Sequence, residues 1–371
     1  MSISSVSLHA QVNFPPSVLP FSFNSSRMDA LGGIHAGVAD DFYTTLFSNP
    51  AGLADVERQF SASTLAISLN NIDIAFLFIG EGVEGLMNRI YTVIENSFTQ
   101  FVNIGGPIAI GKVGNHWGIG FFNTSRISLK WSPENVFMAV PAITEEFLLK
   151  GGYGFNLVKT PHHRLDVGIL GKVFLRGGFD GPDVFLNEIK HVVDNMTEWP
   201  VETQIGFGFD AGIRWTIADH LIIAASFNDF FSPVHVTLYR NKDYFLRLEE
   251  MDSKWVPVEP VGSVGFTWKI VGPFMHRYFN EINLSGDFQG LLGNMRPVMR
   301  KAILDLSVGL EIRMLEVLTL RGSLSEMLPG GGIGLDFHFM KLDLAVFGRQ
   351  LGLDVGKINT YGTSIQFLFR Y

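Results

Sequence analysis

The segment 361–371, YGTSIQFLFRY, places Tyr361, Thr363, Ile365, Phe367, Phe369 and Tyr371 on one face and Gly362, Ser364, Gln366 and Arg370 on the other. A side-chain period of two is the mark of a β-strand. The alternation returns in 331–340, where Ile333, Leu335, Phe337 and Phe339 oppose Gly334, Asp336 and His338. It returns again in 304–314, where Leu304, Leu306, Val308, Leu310 and Ile312 oppose Asp305, Ser307, Glu311 and Arg313. Such strands make a poor soluble core, because a buried carboxylate or guanidinium needs a partner or water. The difficulty disappears if the apolar face meets lipid and the polar face lines a lumen, which is the pattern of a transmembrane β-barrel.

Composition agrees. Hydrophobic residues make up 47% of the 371 positions and charged residues 17%, yet there is no run of apolar residues long enough to span a bilayer as a helix. Alternation dilutes the apolar residues of a barrel in this way. The 40 glycines suit turns and crowded lumen positions, and the 33 phenylalanines suit interfacial girdles. A net charge of −8 without any basic cluster gives nucleic acid no surface to bind. With no cysteine, disulfides, thiolate metal sites and cysteine nucleophiles are excluded. Residues 1–10, ending Leu8-His9-Ala10 before Gln11, read as the close of a secretory signal or a remnant of one.

Residues 11–58 are not strand-like: they carry Pro15, Pro16, Pro20 and Pro50 and a stretch of small residues from Ala30 to Asp41. From Phe60 onward the pattern predicts an all-β, antiparallel up-and-down barrel of about fourteen strands. These are 59–69, 105–113, 116–130, 146–158, 164–176, 203–217, 220–231, 260–271, 280–291, 302–314, 316–325, 331–340, 342–350 and 361–371. Connections are expected to alternate between short periplasmic turns, such as Gly114-Asn115 and Ala218-Asp219, and long outer loops over 70–104, 131–145, 177–202 and 232–259. Segments 71–79 and 233–247 are candidates for extra strands. Two outer loops carry a helical period instead. In 83–98 Leu86, Ile90 and Val93 share a face, and in 183–196 Phe185, Ile189 and Val193 do so, which offers an apolar surface for packing or for capturing a hydrophobic ligand.

The segment 30–54, ALGGIHAGVADDFYTTLFSNPAGLA, holds paired Asp40 and Asp41 and then Asn49-Pro50-Ala51 just ahead of the first strand. In that position it resembles the outer-membrane long-chain fatty acid transporter family, known as FadL. The resemblance implies a fourteen-strand wall, an N-terminal hatch over 11–58 that folds into the lumen and contains the Asn-Pro-Ala motif, and a barrel over 59–371. It also implies a bacterial outer-membrane location and a hydrophobic cargo. Because the family includes aromatic-hydrocarbon transporters and a secretion-apparatus subunit, it does not fix that cargo.

Other motifs carry little chemistry. Gly106 to Lys112 matches most of a phosphate-binding loop, but Val113 stands where a hydroxyl should hold magnesium. His162-His163 lies in an expected turn without ligands at metal spacing, and Gly330-Gly331-Gly332 reads as a loop leading into a strand. No nucleophile elbow is present, so neither a catalytic site, a metal site nor a cofactor is expected. The alternation turns charges of both signs inward, including Asp166, Lys172, Asp210, Arg214, Asp287, Arg313, Arg321 and Asp343. Arg313 or Arg321 is expected to pair with Asp40, Asp41 or a ligand carboxylate. Leu170, Phe174, Phe347 and Leu368 break the inner polar pattern and are candidates for an apolar ligand pocket.

Together these features predict uptake of long-chain fatty acids or other hydrophobic small molecules, in contact with outer-membrane lipid and without covalent chemistry. The alternatives are an interaction protein, such as an adhesin or secretion partner whose long loops bind another protein, and a diffusion porin.

Overall fold

The computed structural model describes residues 16–21, 23, 25–33, 35–70, 99–131, 138–181, 184–185, 195–270, 279–292, 300–337, 339–350, 354–356 and 359–370. Its strands are β1 (Gln59–Leu69), β2 (Thr99–Gly114), β3 (Trp117–Trp131), β4 (Met138–Lys159), β5 (His163–Asp180), β6 (Val184–Phe185), β7 (Val201–Ile217), β8 (Leu221–Phe231) and β9 (Pro233–Tyr239). They continue with β10 (Asp252–Pro257), β11 (Val261–Ile270), β12 (Phe279–Phe288), β13 (Leu306–Met314), β14 (Leu318–Ser325), β15 (Leu328–Asp336), β16 (Met340–Gln350) and β17 (Asn359–Arg370). All pair antiparallel with their neighbours, and β17 pairs with β1 to close the wall.

Seventeen segments make fourteen wall strands. The lower half of β7 pairs with β8 and its upper half with β9, so β8 and β9 are one strand broken near Asp229. β11 pairs with β8 and β10 with β9, so these two are likewise one strand. The two-residue β6 is an appendage of β4. Segment 233–247 is therefore an upward continuation of a wall strand, followed by a short helix α3 (Lys242–Leu246), and adds no strand to the count. Segment 71–79 lies outside the described residues.

Tight turns gather at one end. Asn115-His116, Ala218-Asp219 and Leu315-Glu316 all adopt positive φ at both central residues, the backbone that matches the twist of the strands they join. The same geometry at Glu326-Met327 joins β14 to β15 at the opposite, outer end, so the strict alternation of short and long connections fails there. Gly330-Gly331-Gly332 is consequently not a loop but the middle of β15. Phe185 lies in a strand rather than a helix; Leu86, Ile90, Val93, Ile189 and Val193 lie outside the described residues.

Outward positions are aliphatic or aromatic and solvent-exposed in isolation: Ile119, Phe121, Leu149, Val173, Ile205, Phe207, Ile223 and Phe266 are examples. Exposing such a belt to water is unfavourable, whereas in hydrocarbon a closed barrel leaves no backbone group unpaired at an edge. The wall is that of an outer-membrane barrel, with its tight turns on the periplasmic side by the usual asymmetry of such barrels.

The described residues of 16–58 pack against the inner side of this wall. Helix α1 (Ser26–Ala30) contacts β14 to β17, helix α2 (Phe42–Phe47) contacts β1 to β3, and a 3-10 turn at Pro50–Ala54 contacts β2 to β5 and β7. Val18 bridges Val258 just beyond β10, and Gly37 abuts Thr267 of β11. The principal apolar core thus lies between this segment and inward-facing wall residues.

Candidate functional site

The Asn49-Pro50-Ala51 turn is seated by glycines. A Cβ at Gly154 would come within 2.3 Å of Ala54 N, one at Gly168 within 2.1 Å of Pro50 O, and one at Gly212 within 1.9 Å of Asn49 Oδ1. Three wall strands therefore offer bare backbone where the turn docks. The side chain of Asn49 completes the seat: its Oδ1 accepts from Ala51 N at 3.0 Å, and its Nδ2 donates to Ala36 O at 2.9 Å and to Ile213 O and Ala225 O at 3.3 Å. Asparagine is suited to this position because it caps the turn and donates to the wall at once.

The paired aspartates meet an arginine of their own segment. Arg27 Nη1 donates to Asp40 Oδ1 at 2.7 Å and to Asp41 Oδ2 at 2.6 Å, while Nε and Nη2 grip both oxygens of Glu311 at 2.9 Å. Burial alone would depress the guanidinium, but Asp40, Glu311 and Asp41 outweigh it and hold Arg27 well above the ordinary arginine range. Burial likewise pushes the Asp41 carboxyl up, and Arg27, Lys341 and the Thr44 N–H override it, leaving it at about 2. Asp41 also forms a capping box with Thr44 at the start of α2.

This corrects the expected pairing. Arg321 is buried, but it donates to Glu311 on the adjacent β13 at 2.7 Å and to Asp343 on β16, one strand further, at 2.6 Å. Arg313 is 44% exposed and pairs with Glu281 at 3.3 Å. Wall arginines satisfy wall carboxylates, because register places Glu311 opposite Arg321; the N-terminal segment brings its own cation to the shared Glu311. Two further buried networks line the wall. Asp210 lies between Lys150 at 2.6 Å and Lys172 at 2.8 Å, with Asp229 2.6 Å from Lys172, and Asp166 accepts from Arg214 at 2.8 Å. Asp229 sits at φ +57° near the end of β8, where the register with β7 shifts, a bulge that turns its carboxylate inward.

Leu170, Phe174 and Leu368 do face inward, together with Leu148 and Phe122, and they pack against the N-terminal segment. Phe347 is buried apart from them, against Gly362 and beneath Arg349. At the centre of the apolar cluster the Phe23 ring stacks on Tyr43 at 5.1 Å and lies 5.5 Å from Phe122, which Phe47 meets edge-on at 4.9 Å. Tyr43 hydrogen-bonds Thr64, and burial raises its hydroxyl above the ordinary range. Lys150 lies 5.0 Å from the Phe47 ring, so the charged network borders the apolar one.

Beside this cluster the wall is interrupted. Pairing of β1 with β2 lapses between Ser61 and Ala66, and that of β2 with β3 between Gly105 and Ala109. Side chains take up the released backbone groups: Ser61 donates to Ala109 O at 3.0 Å, Ser63 to Pro107 O at 2.8 Å, and Asn123 accepts from Ile108 N at 3.0 Å. On the inner side the Phe23 ring closes over Gly105, 3.0 Å from where a Cβ would stand. Chemically the arrangement is an aromatic patch with few polar groups. Among the described residues no three His, Asp or Glu side chains are grouped to hold a metal.

Arg27, Lys150, Asp229 and Phe23 escape sequence reasoning. Arg27 and Phe23 fall in a segment without periodicity, and Asp229 falls where the period breaks. The glycine seat did leave a signal, since Gly154, Gly168 and Gly212 all occupy inward positions of alternating strands.

No protein-family model and no curated protein sequence matches the chain. Among solved structures, it superposes on a TodX monoaromatic hydrocarbon channel mutant with TM-score 0.51 at 12% identity, covering 94% of this chain and 98% of that one. It also matches the CymD monoaromatic hydrocarbon channel (TM-score 0.49, 9% identity, 92% and 95% covered). A third match is a Pseudomonas aeruginosa FadL homologue (TM-score 0.45, 10% identity, 92% and 97% covered). At 12% identity the first of these likenesses shows the fold alone, a closed fourteen-strand antiparallel barrel.

Proposed function

We propose that the protein is a FadL-type transporter that takes hydrophobic small molecules, long-chain fatty acids among them, across the bacterial outer membrane without covalent chemistry. The observation that carries this reading is the aromatic cluster of Phe23, Tyr43, Phe47 and Phe122, built jointly by the N-terminal segment and the wall beside the interrupted β1–β2–β3 ladder. An apolar pocket with few polar groups suits an acyl chain or an aromatic ring, and each CH₂ buried there contributes roughly 0.8 kcal/mol. Residues 16–58 act as the hatch, and Phe23, which covers Gly105, is the part that must withdraw for a ligand to leave through the interruption. Leu170, Phe174 and Leu368 support the pocket, and Asn49, Pro50 and Ala51 anchor the hatch.

The test is uptake of a fluorescent fatty acid and of a monoaromatic hydrocarbon into vesicles carrying the folded barrel, with and without residues 11–56 and with Pro50→Leu. Uptake that is saturable in the intact chain and altered by both changes supports the proposal. Unchanged uptake by well-folded variants overturns it.

A protein-binding role at the outer end is the second reading. It is favoured by Leu246, Leu248, Met251 and Trp255, which stand between 54% and 74% exposed on the β9–β10 hairpin. A hairpin deletion that abolishes binding to a partner cell or protein but spares ligand uptake would separate the two.

A further inference from the structure

The inner wall has two chemically different sides. Along β3 to β5 it presents Phe122, Leu148, Leu170 and Phe174 beside the charged network of Lys150 and Lys172. Along β8 and β11 to β13 it presents mainly serine, threonine and asparagine: Ser226 and Ser263, hydrogen-bonded to each other at 2.8 Å, then Thr267, Asn283, Ser285 and Ser307, with Ile222 and Ala224 of β8 the apolar exceptions. An apolar ligand gains nothing from such a surface.

Buried polar atoms on this side lack partners. Asn228 Oδ1, Thr267 Oγ1, Asn283 Oδ1, Asp287 Oδ2 and Ser307 Oγ have no hydrogen-bond partner among the described residues. Leaving such an atom dry carries the full desolvation penalty of the group. Water in a polar cavity is the usual remedy. A cavity of about 760 Å³ opens at the periplasmic end and reaches up this side, lined by Leu31, Gly37, Val38, Thr267, Asn283 and Ser285. Asp287, Ser307 and Asn228 lie further toward the outer end on the same strands.

At the level of Asp287 and Ser307, between this vestibule and Asn228 beyond, stand the described residues of 31–39. Their base is pinched shut by Arg27 on Asp40 and Asp41, which makes the stretch a compact loop with its ends together. Gly32 and Gly33, at φ +88° and +120°, reverse the chain after α1. The tip is clamped at a single residue: Ala36 N donates to Asp287 Oδ1 at 2.9 Å, and Ala36 O accepts from Asn49 Nδ2 at 2.9 Å. Elsewhere the loop meets the wall at its base, where Ala39 O accepts from Arg214 Nη1 at 3.1 Å, through Ala36 against Ile222 and Ala224, and by close packing of glycine, with Gly32 against Ser323 and Ser325 and Gly37 against Thr267.

We propose that residues 31–39 are a lid over a second, hydrated path through the barrel, along the inner faces of β8 and β11 to β13, which admits water and small inorganic ions. The path is distinct from the apolar side, and it stands whatever the aromatic cluster binds. Asp287 is its latch. Releasing Ala36 exposes a carboxylate and joins the vestibule to the serine-lined space beyond.

The cysteine-free chain makes the test direct. Single cysteines are placed at Lys269, 43% exposed on the vestibule side, and at Asn228, beyond the lid, and the rate of modification by a charged methanethiosulfonate reagent is followed in the folded full-length protein. Lys269→Cys should react fast and Asn228→Cys slowly. Adding Asp287→Ala should speed Asn228→Cys at least tenfold and leave Lys269→Cys unchanged, with a matching rise in potassium conductance in planar bilayers. Gly37→Val, whose side chain would wedge against Thr267, gives a second and independent way to lift the lid. If Asn228→Cys stays unreactive in both folded variants, the side is dry and the proposal fails. If it already reacts as fast as Lys269→Cys in the unaltered chain, there is no lid.

Discussion

Arg27 and Glu311 form a two-pronged ion pair, Nε to Oε2 and Nη2 to Oε1 both at 2.9 Å, with each side chain only 6% exposed. It is the strongest charged link between the N-terminal segment and the wall, and Arg321 shares the same carboxylate. Breaking one partner of a buried pair leaves the other charge uncompensated, at a cost of about 3–5 kcal/mol. Arg27→Gln should therefore leave a closed barrel whose residues 31–48 become cleavable by protease. Limited proteolysis beside heat-modifiable gel mobility reads the two separately. Glu311→Gln should act in the same direction but more weakly, since the amide still accepts from Arg27.

The glycine seat predicts a sharp contrast between positions. Gly168→Ala would drive a methyl group into Pro50 O, whereas Gly322 has nothing within 4 Å of its would-be Cβ. Overpacking of this kind costs about 1–3 kcal/mol, while a change on the open outer face should stay within about 0.5 kcal/mol. Unfolding midpoints in denaturant for Gly168→Ala, Gly212→Ala and Gly322→Ala test this. Equal losses at all three would mean that glycine serves the strands themselves and not the docked turn.

His35 gives the lid a pH dependence with a definite sign. Its Nε2 donates to Leu31 O at 2.6 Å, and burial lowers its pKa from 6.5 to about 4. Between those values the unfolded segment binds a proton that the packed one refuses, so stability falls as pH drops from about 6.5 toward 4 and is unaffected above. Asp41, held at about 2, loses its contribution only below the ordinary carboxylate range, so the two windows are separate. Amide exchange at Ala36 should quicken by at least an order of magnitude between pH 7 and pH 5 relative to its intrinsic rate. His35→Gln should flatten that slope.

The strand pattern was legible because lipid on one side and a polar interior on the other impose strict alternation, and residues such as Leu310 and Glu311 obey it. It was least legible where the wall departs from alternation. The broken strand at Asp229 and the short outer turn at Glu326-Met327 both depend on local backbone geometry. The inward aim of Leu170 and Phe174 followed from parity, but the apolar cluster they join did not, because its Phe23 and Phe47 come from a segment whose contacts are set by docking. Likewise Asp40 and Asp41 stand out as a pair, while the arginine that answers them is invisible until the chain folds back 13 residues to bring Arg27 alongside.

The central claim is that the aromatic cluster and the segment covering it constitute a hydrophobic ligand site. Equilibrium binding of a long-chain fatty acid and of a monoaromatic hydrocarbon to the detergent-folded barrel, with the intact chain set against one lacking residues 11–56, tests it most directly. Saturable binding of at least one of them at micromolar or lower concentration, weakened when the segment is removed, is the predicted result. Absence of binding to well-folded protein, or binding of equal strength without the segment, would contradict it.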